Sequence, residues 1–202
     1  MTLLVRLKRK LDLAQARLFY FVWFDILLGM ALEDIKQARL EKLDKLKKAG
    51  VDPFPARSSR THSIFQAIEN FDKFAEDKEI LILVGRVMAK REHGGSTFLD
   101  INDGSSRIQL FFKKDEVGNK EYDFFLETID IGDFIEAGGT LFKTKREEKT
   151  IEVQSYRMLS KSLLPLPEKW HGLKDAEEKL RRRYLDLIMD QEVKELFIKK
   201  SI

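Results

Sequence analysis

The amino-acid sequence predicts a mainly β fold with flanking helices, and three observations point to it. Five β-rich runs lie between residues 80 and 159, Gly94-Gly95 and Asp103-Gly104 give turn signals between the first three, and a polar helical span separates the third from the fourth. The predicted strands are Ile80–Arg91, Thr97–Asn102, Arg107–Phe112, Phe134–Lys143 and Thr150–Leu159, and the predicted helix is Asn119–Thr128. This order is the plan of the OB-fold, a small five-stranded Greek-key barrel that binds oligonucleotides.

The composition is that of a soluble, globular protein. Of 202 residues, 43% are hydrophobic and 35% are charged. The formal net charge is only +3, so any basic binding surface must be local. The chain has no cysteine, which excludes disulfides and thiolate metal sites and fits a reducing compartment. Its three histidines lie far apart, so no metal site is expected.

Residues 1–29 form an atypical extension in which a basic stretch precedes an apolar run. The run from Leu18 to Leu28 contains Asp25 and is too short to span a bilayer, which needs roughly 20 residues. No stable membrane span is therefore predicted. Three interpretations stay open: an extension or upstream sequence outside the folded protein, a helix that packs on a partner or a membrane surface, and a targeting signal.

Residues 30–79 form an N-terminal helical region. The 3/4 spacing of Leu32, Ile35, Leu43 and Leu46 predicts a helix over Ala31–Ala49, which Gly50 ends. The opposite face is basic and is either solvated or a phosphate-contacting surface; it carries Lys36, Arg39, Lys42 and Lys45. After a proline-stiffened connector, Ser63 is placed to cap a short helix over Ile64–Phe71.

The OB-fold itself is expected over 80–160, and residues 161–202 form a linker and the helical start of a further domain. The linker contains two prolines, and a helical stretch begins at Asp175. The helical pattern is still running at Ile202, without a breaker or a cap. We therefore expect the chain to be a truncated form of a longer protein.

Alternation along the second and third strands places an unusual set of side chains on one face of the predicted barrel. Phe98 and Asp100 share a face, as do Arg107, Gln109 and Phe111. The intervening aliphatic and aromatic residues are expected to fill the interior: Leu99, Ile101, Ile108, Leu110 and Phe112. In an OB-fold, the second and third strands carry the ligand face.

Four residues are candidates for nucleic-acid binding. Phe98 can stack on a base, the amide of Gln109 suits the mixed edge of a uracil, and Arg91 can stack or bind phosphate. Glu136, on the fourth strand, can accept a base N–H. The alternatives remain open that Phe98 belongs to the core, that Gln109 is merely exposed and that Glu136 is a solvated carboxylate.

The sequence contains no recognisable catalytic constellation. It has no Walker-type phosphate loop, no Ser/His/Asp arrangement and no paired catalytic carboxylates. Gly94-Gly95 and Gly138-Gly139 are expected to serve turns or bulges.

From about Met30 to Ile202, the chain resembles the N-terminal part of the class II lysine–tRNA ligases. The resemblance is carried chiefly by GRVMAKREHGGSTFLDINDGSSRIQLFF (85–112), LSKSLLPLPEKWHGL (159–173) and RRRYLDLIMD (181–190). It implies that the OB-fold binds a uridine-rich tRNA anticodon, with Phe98 and Gln109 holding the middle base and Arg91 beside them. Glu136 matches a carboxylate that borders that site in the family.

The resemblance also implies a cytoplasmic, homodimeric enzyme that joins lysine to tRNA with ATP and Mg²⁺. The later class II signatures, which hold ATP, are absent from this chain, so it needs no cofactor of its own and is expected to be inactive alone. The segment Arg181–Leu187 resembles the approach to the first class II signature, at the dimer interface. The competing interpretation is a standalone OB-fold module that binds single-stranded nucleic acid.

Overall fold

The computed structural model describes residues 13–166 and 176–201. Its first helix, α1, is Leu13–Lys48. The predicted helix is thus confirmed, but it begins well before Ala31, so the apolar run belongs to the same helix. Of residues 13–29 the structure describes only the backbone, and the first twelve residues of the extension lie outside the described residues. Within 13–166 and 176–201, no helix is long and apolar enough to cross a membrane.

Helix α1 ends in a Schellman motif, as the glycine predicted. The N–H of Gly50 donates to the carbonyl of Lys47 at 3.0 Å, and the N–H of Val51 donates to that of Leu46 at 3.0 Å. Gly50 has a φ of 76°, in the left-handed region where a Cβ is unfavourable. The turn sends the chain away from α1 into the proline-stiffened connector.

The predicted faces of α1 are corrected by the way in which the helix packs. Leu43 and Leu46 are buried, but Leu32 and Ile35 are exposed, because only the C-terminal part of the helix contacts the rest of the fold. Arg39, predicted to face outward, is only 8% exposed.

The basic face of α1 is used within the molecule and is neither fully solvated nor free for phosphate. Lys42 Nζ lies 2.6 Å from Asp130 Oδ1, and Lys45 pairs with Glu127. These carboxylates lie on and just after the helix that follows the third strand. Charge pairing therefore docks α1 onto that region.

Two short helices follow the connector, where the sequence predicted one. They are α2, Ile64–Glu69, and α3, Phe71–Glu76. Ser63 caps α2 as predicted, and it forms a full capping box with Gln66. The prediction of one helix was wrong at Asn70, whose φ of −99° and ψ of 25° interrupt the helix.

The five predicted strands are confirmed, with ends that differ by one or two residues. They are β1 Leu81–His93, β2 Ser96–Asn102, β3 Arg107–Lys113, β4 Phe134–Lys143 and β5 Lys149–Ser160. Between β3 and β4 lie α4, Lys114–Val117, and α5, Asn119–Thr128. Helix α5 has the predicted bounds, whereas the single turn of α4 was not predicted.

The strands hydrogen-bond in the order β1-β2-β3-β5-β4, and β4 returns to β1, so the sheet closes on itself. All pairs are antiparallel except β3 with β5. Gly138 and Gly139 lie at a register shift between β4 and β5, which confirms their predicted role in a bulge. This is the five-stranded OB-fold arrangement expected from the sequence.

The predicted interior residues of β2 and β3 all lie in the core: Leu99, Ile101, Ile108, Leu110 and Phe112. Helix α5 extends this core, since Phe125 stacks on Phe112 with ring centroids 4.1 Å apart. Tyr122 is also buried, and its hydroxyl lies 2.7 Å from that of Thr97. The opposite, outward face of β2 and β3 is thereby left for other contacts.

The C-terminal segment contains three helices: α6 Ala176–Arg181, α7 Arg183–Met189 and α8 Gln191–Ser201. The sequence predicted one continuous stretch from Asp175, and this is wrong at Asp190. Its carboxylate accepts the N–H groups of Glu192 and Val193, so it caps the start of α8. Residues 167–175, most of the predicted linker, lie outside the described residues.

Candidate nucleic-acid interface

The strand register aligns the outward-facing residues in two rows across the sheet. In the first row Arg91 lies opposite Phe98, Phe98 opposite Phe111, and Phe111 opposite Glu152. In the second row Asp100 lies opposite Gln109, which lies opposite Thr150. The shared face predicted by alternation is therefore confirmed, and it continues onto β5.

The first row builds an aromatic platform. The rings of Phe98 and Phe111 stack with centroids 4.6 Å apart and an angle of 25° between their planes. Phe142 lies 6.0 Å from Phe111 on the far side. Phe98 is only partly buried, so it belongs to this outer platform and not to the core. A partly exposed, supported ring is suited to stacking on a planar ligand.

Next to this platform lies a cavity of about 470 Å³. It brings together three of the four predicted site residues, from β1, β2 and β3. The lining residues are Arg91, His93, Phe98, Gln109, Thr144, Lys145, Arg146 and Glu148. The cavity thus offers an aromatic face, an amide and several cationic groups within one concave surface.

The buried carboxylate of Asp100 holds two of the cationic side chains at this face. It pairs with Arg107 and lies 3.5 Å from Nη2 of Arg91. Both guanidinium groups keep about half of their side-chain surface exposed. Arg91 is therefore oriented by Asp100 but remains available to a ligand.

The first row also carries an ion pair. Nζ of Lys113 lies 3.2 Å from Oε1 of Glu152. The hydrogen bond and the charge of Glu152 raise the pKa of Lys113. This pair partly neutralises the end of the platform that lies furthest from Arg91.

The amide of Gln109 is held at both ends. Its Nε2 donates to Oε2 of Glu148 at 3.1 Å, and its Oε1 accepts from the hydroxyl of Thr150 at 3.0 Å. The residue is only 9% exposed, so the alternative of a merely exposed side chain is wrong. An amide has two N–H groups and two acceptor lone pairs, so one donor and one acceptor site remain for a ligand.

The loop between β4 and β5 contributes residues that sequence reasoning missed. Lys145 and Arg146 are exposed on the wall of the cavity, and the hydroxyl of Thr144 accepts the N–H groups of Arg146 and Glu148. The available signal was the charge-rich stretch between two predicted strands, since this loop is one of the ligand-binding loops of an OB-fold. It supplies the local basic surface that the small net charge requires.

Glu136 lies outside this cavity. It is seven residues away along the sheet, because it pairs with Val84 of β1. Its carboxylate accepts from Nη2 of Arg157 at 3.0 Å and from the N–H of Ser59 at 2.6 Å. These contacts tie the connector to β4, so the solvated carboxylate considered from the sequence is not observed. A role at the anticodon stays a prediction.

Chemically, the cavity is equipped for recognition. Among the described residues, no group of three or more histidine, aspartate or glutamate side chains could hold a metal ion. What the cavity offers is a stacking surface, a hydrogen-bonding amide and cations, the set of groups that bind single-stranded nucleic acid.

Comparison with known proteins agrees with this chemistry. Residues 81–159 match the model of the tRNA anticodon family, described as an OB-fold nucleic acid binding domain. The chain is 45% identical over 170 residues to the lysine–tRNA ligase of Carboxydothermus hydrogenoformans, covering 84% of this chain and 34% of that protein. It is 46% identical over 167 residues to that of Clostridium novyi, covering 81% and 32%.

A third relative, the lysine–tRNA ligase of Roseiflexus castenholzii, is 43% identical over 169 residues, covering 83% of this chain and 35% of its own length. The chain thus spans about a third of the length of the curated relatives it matches. The resemblance found in the sequence motifs is confirmed. Residues 81–159 belong to the tRNA anticodon family of OB-fold nucleic acid binding domains, within a chain that is similar over most of its length to lysine–tRNA ligases.

Proposed function

We propose that the chain binds the anticodon of a tRNA, as the N-terminal part of a lysine–tRNA ligase. The observation that carries this proposal is the convergence of Arg91, Phe98 and Gln109 on one cavity of the OB-fold. Three different elements deliver a cation, an aromatic ring and an amide to the same place. Single-stranded bases, splayed from an RNA loop, are recognised by this combination.

Each residue has a distinct role in the proposal. Phe98, supported by Phe111, stacks on the middle base of the anticodon, and Gln109 forms hydrogen bonds with its edge. Arg91, oriented by Asp100, contacts an adjacent phosphate or base. The exposed Lys145 of the β4–β5 loop contributes to phosphate binding.

The activity of the whole protein is also a proposal. It would join lysine to its tRNA in the cytoplasm with ATP and Mg²⁺, as a homodimer, through regions that this chain does not match. Within this chain we assign residues 30–79 to docking of the N-terminal helices, 80–160 to anticodon binding, and 161–202 to the approach to a catalytic domain. Residues 1–29 have no assigned role.

The test is binding of the chain to a fluorescently labelled anticodon stem–loop RNA with a uridine-rich loop, measured by anisotropy. Phe98→Ala should weaken binding by about 1–3 kcal/mol through lost stacking. Gln109→Ala should also weaken it, through lost hydrogen bonds to the base. Phe65→Ala is the matched control, because Phe65 is an exposed phenylalanine of α2 outside the cavity. It should bind like the unmodified chain.

Unchanged binding by both Phe98→Ala and Gln109→Ala would refute the assignment of this face. The competing function, a module that binds single strands without sequence preference, is favoured by the basic β4–β5 loop alone. It requires equal affinity for uridine and adenosine oligomers and a steep dependence on salt. A clear preference for uridine at fixed salt would exclude it.

A further inference from the structure

We propose that Glu148 is a positioning residue that fixes the orientation of the Gln109 amide and thereby selects uracil over cytosine. This inference rests on the proposed anticodon function. It concerns a residue on the loop side of the cavity that acts through Gln109. The physical question is which of the two possible orientations the amide adopts, since a rotation of 180° exchanges its N–H and C=O groups.

The carboxylate of Glu148 decides the orientation. In the observed arrangement, Nε2 of Gln109 donates to Oε2 of Glu148 over 3.1 Å. In the reversed arrangement, the carbonyl oxygen of the amide would face the carboxylate oxygen at that distance. A carboxylate accepts hydrogen bonds and cannot donate one, so the reversed arrangement would place two acceptors together. It would also lose a hydrogen bond to a charged group.

Thr150 alone would permit both orientations. Its hydroxyl donates to Oε1 of Gln109 at 3.0 Å and lies 3.1 Å from the carbonyl oxygen of Glu148. Because the hydroxyl has a single hydrogen, it can turn that hydrogen to the Glu148 carbonyl and accept from a reversed amide. The bias toward one orientation therefore comes from the Glu148 side chain.

The position of Glu148 is itself fixed by the loop. Its N–H donates to the hydroxyl of Thr144 at 3.2 Å, and its carbonyl oxygen is within hydrogen-bonding distance of Thr150. Its neighbour Glu147 has a φ of 60° and is exposed, and it does not line the cavity. Two adjacent carboxylates thus differ in one respect that matters here: contact with Gln109.

A fixed amide discriminates between the two pyrimidines. At positions 4 and 3, uracil presents an acceptor followed by a donor, whereas cytosine presents a donor followed by an acceptor. A base that is stacked on Phe98 presents this edge at a fixed place. An amide held in one orientation can then pair with only one of the two patterns, while an amide free to reverse pairs with either.

The experiment compares stem–loop RNAs with uridine or cytidine at the middle anticodon position, titrated against the unmodified chain, Glu148→Ala and Glu147→Ala. The unmodified chain should prefer uridine by about tenfold or more, as expected for a two-hydrogen-bond contact. Glu148→Ala should reduce this ratio to below about threefold, chiefly by improving binding of the cytidine RNA. Glu147→Ala removes the same charge nearby and should retain the original ratio.

A second measurement needs no RNA. The side-chain N–H₂ signals of Gln109 in a ¹H–¹⁵N NMR spectrum can be assigned by their loss in Gln109→Ala. They should move in Glu148→Ala and stay in place in Glu147→Ala, because only Glu148 accepts from Nε2.

The outcomes separate the two proposals. An unmodified chain that shows no uridine preference would refute the anticodon function and with it the selection proposed here. An unmodified chain with a uridine preference that Glu148→Ala retains would overturn only the role of Glu148. Equal gains in affinity for both RNAs in the two glutamate variants would show that Glu148 acts merely as a negative charge, which also overturns it.

Discussion

Lys161 connects the end of β5 to the turn before β4, and replacing it tests how this fold is held together. The side chains of Lys161 and Asp133 are both 0% exposed, and Nζ lies 2.8 Å from Oδ2 of Asp133. Nζ also lies 2.6 Å from Oδ2 of Asp130 and 2.7 Å from the carbonyl oxygen of Thr128. One ammonium group thus satisfies two carboxylates and the last turn of α5.

Lys161→Met would keep the side-chain length but remove the charge. Truncating one partner of a buried ion pair destabilises a protein by about 3–5 kcal/mol, because the other charge remains buried. Asp133 retains the N–H groups of Asp130 and Ser162 at 2.7 and 2.8 Å, and Asp130 retains Lys42. These remaining contacts place the expected loss near the lower value, about 3 kcal/mol.

The assay is urea unfolding followed by circular dichroism. With a slope of about 1–3 kcal/mol per molar urea, the midpoint should fall by roughly 1–3 M. Lys120→Met, at an exposed lysine of α5, is the control and should change the free energy of unfolding by less than about 0.5 kcal/mol. A loss below about 1 kcal/mol for Lys161→Met would refute the reasoning, since it would mean that the buried carboxylates do not depend on the ammonium group.

Three further predictions follow from local contacts. Ser63→Ala removes the capping box of α2, and thermal unfolding should show a loss of about 1 kcal/mol. Gly139→Ala would place a Cβ 2.0 Å from the carbonyl oxygen of Glu152, so chemical denaturation should show a loss of stability well beyond that of an exposed substitution. Burial acts to raise the pKa of Asp130, but hydrogen bonds and charge from Lys161 and Lys42 outweigh it and hold that pKa below its usual value. Its stabilising effect is therefore present above the unfolded pKa of about 3.9 and is lost as the pH falls through the folded pKa, so Asp130→Asn should flatten the acid limb of the unfolding free energy against pH.

The sheet could be predicted because its signals are local. Alternation fixed which residues of β2 and β3 face the core, and the glycine pairs marked the turns, so no strand end moved by more than two residues. The bounds of α5 were likewise set by its neighbouring breaks. These features depend on contacts between residues that are close in the chain or that repeat with a fixed period.

The docking of α1 could not be predicted in the same way. Arg39 was placed on an outward face because arginines usually lie there, but it donates to the carbonyl oxygens of Ile131, Ser162 and Leu164. These three acceptors are backbone atoms, so no side-chain pattern in the sequence indicates them. A charged face looks the same in the sequence whether its partner is solvent, phosphate or the carbonyl groups of a distant turn.

The same limit applies at the cavity, where it bears on specificity. The sequence indicates that Gln109 carries a donor and an acceptor, but it does not indicate which points to the ligand. That depends on Glu148, 39 residues further along, which reaches Gln109 only because β3 and β5 pair in parallel in the observed register. A shift of one residue in this pairing would turn Thr150 to the opposite face and remove Glu148 from reach. Base selectivity in this domain is therefore a property of the closing strand pair as much as of the residue that touches the base.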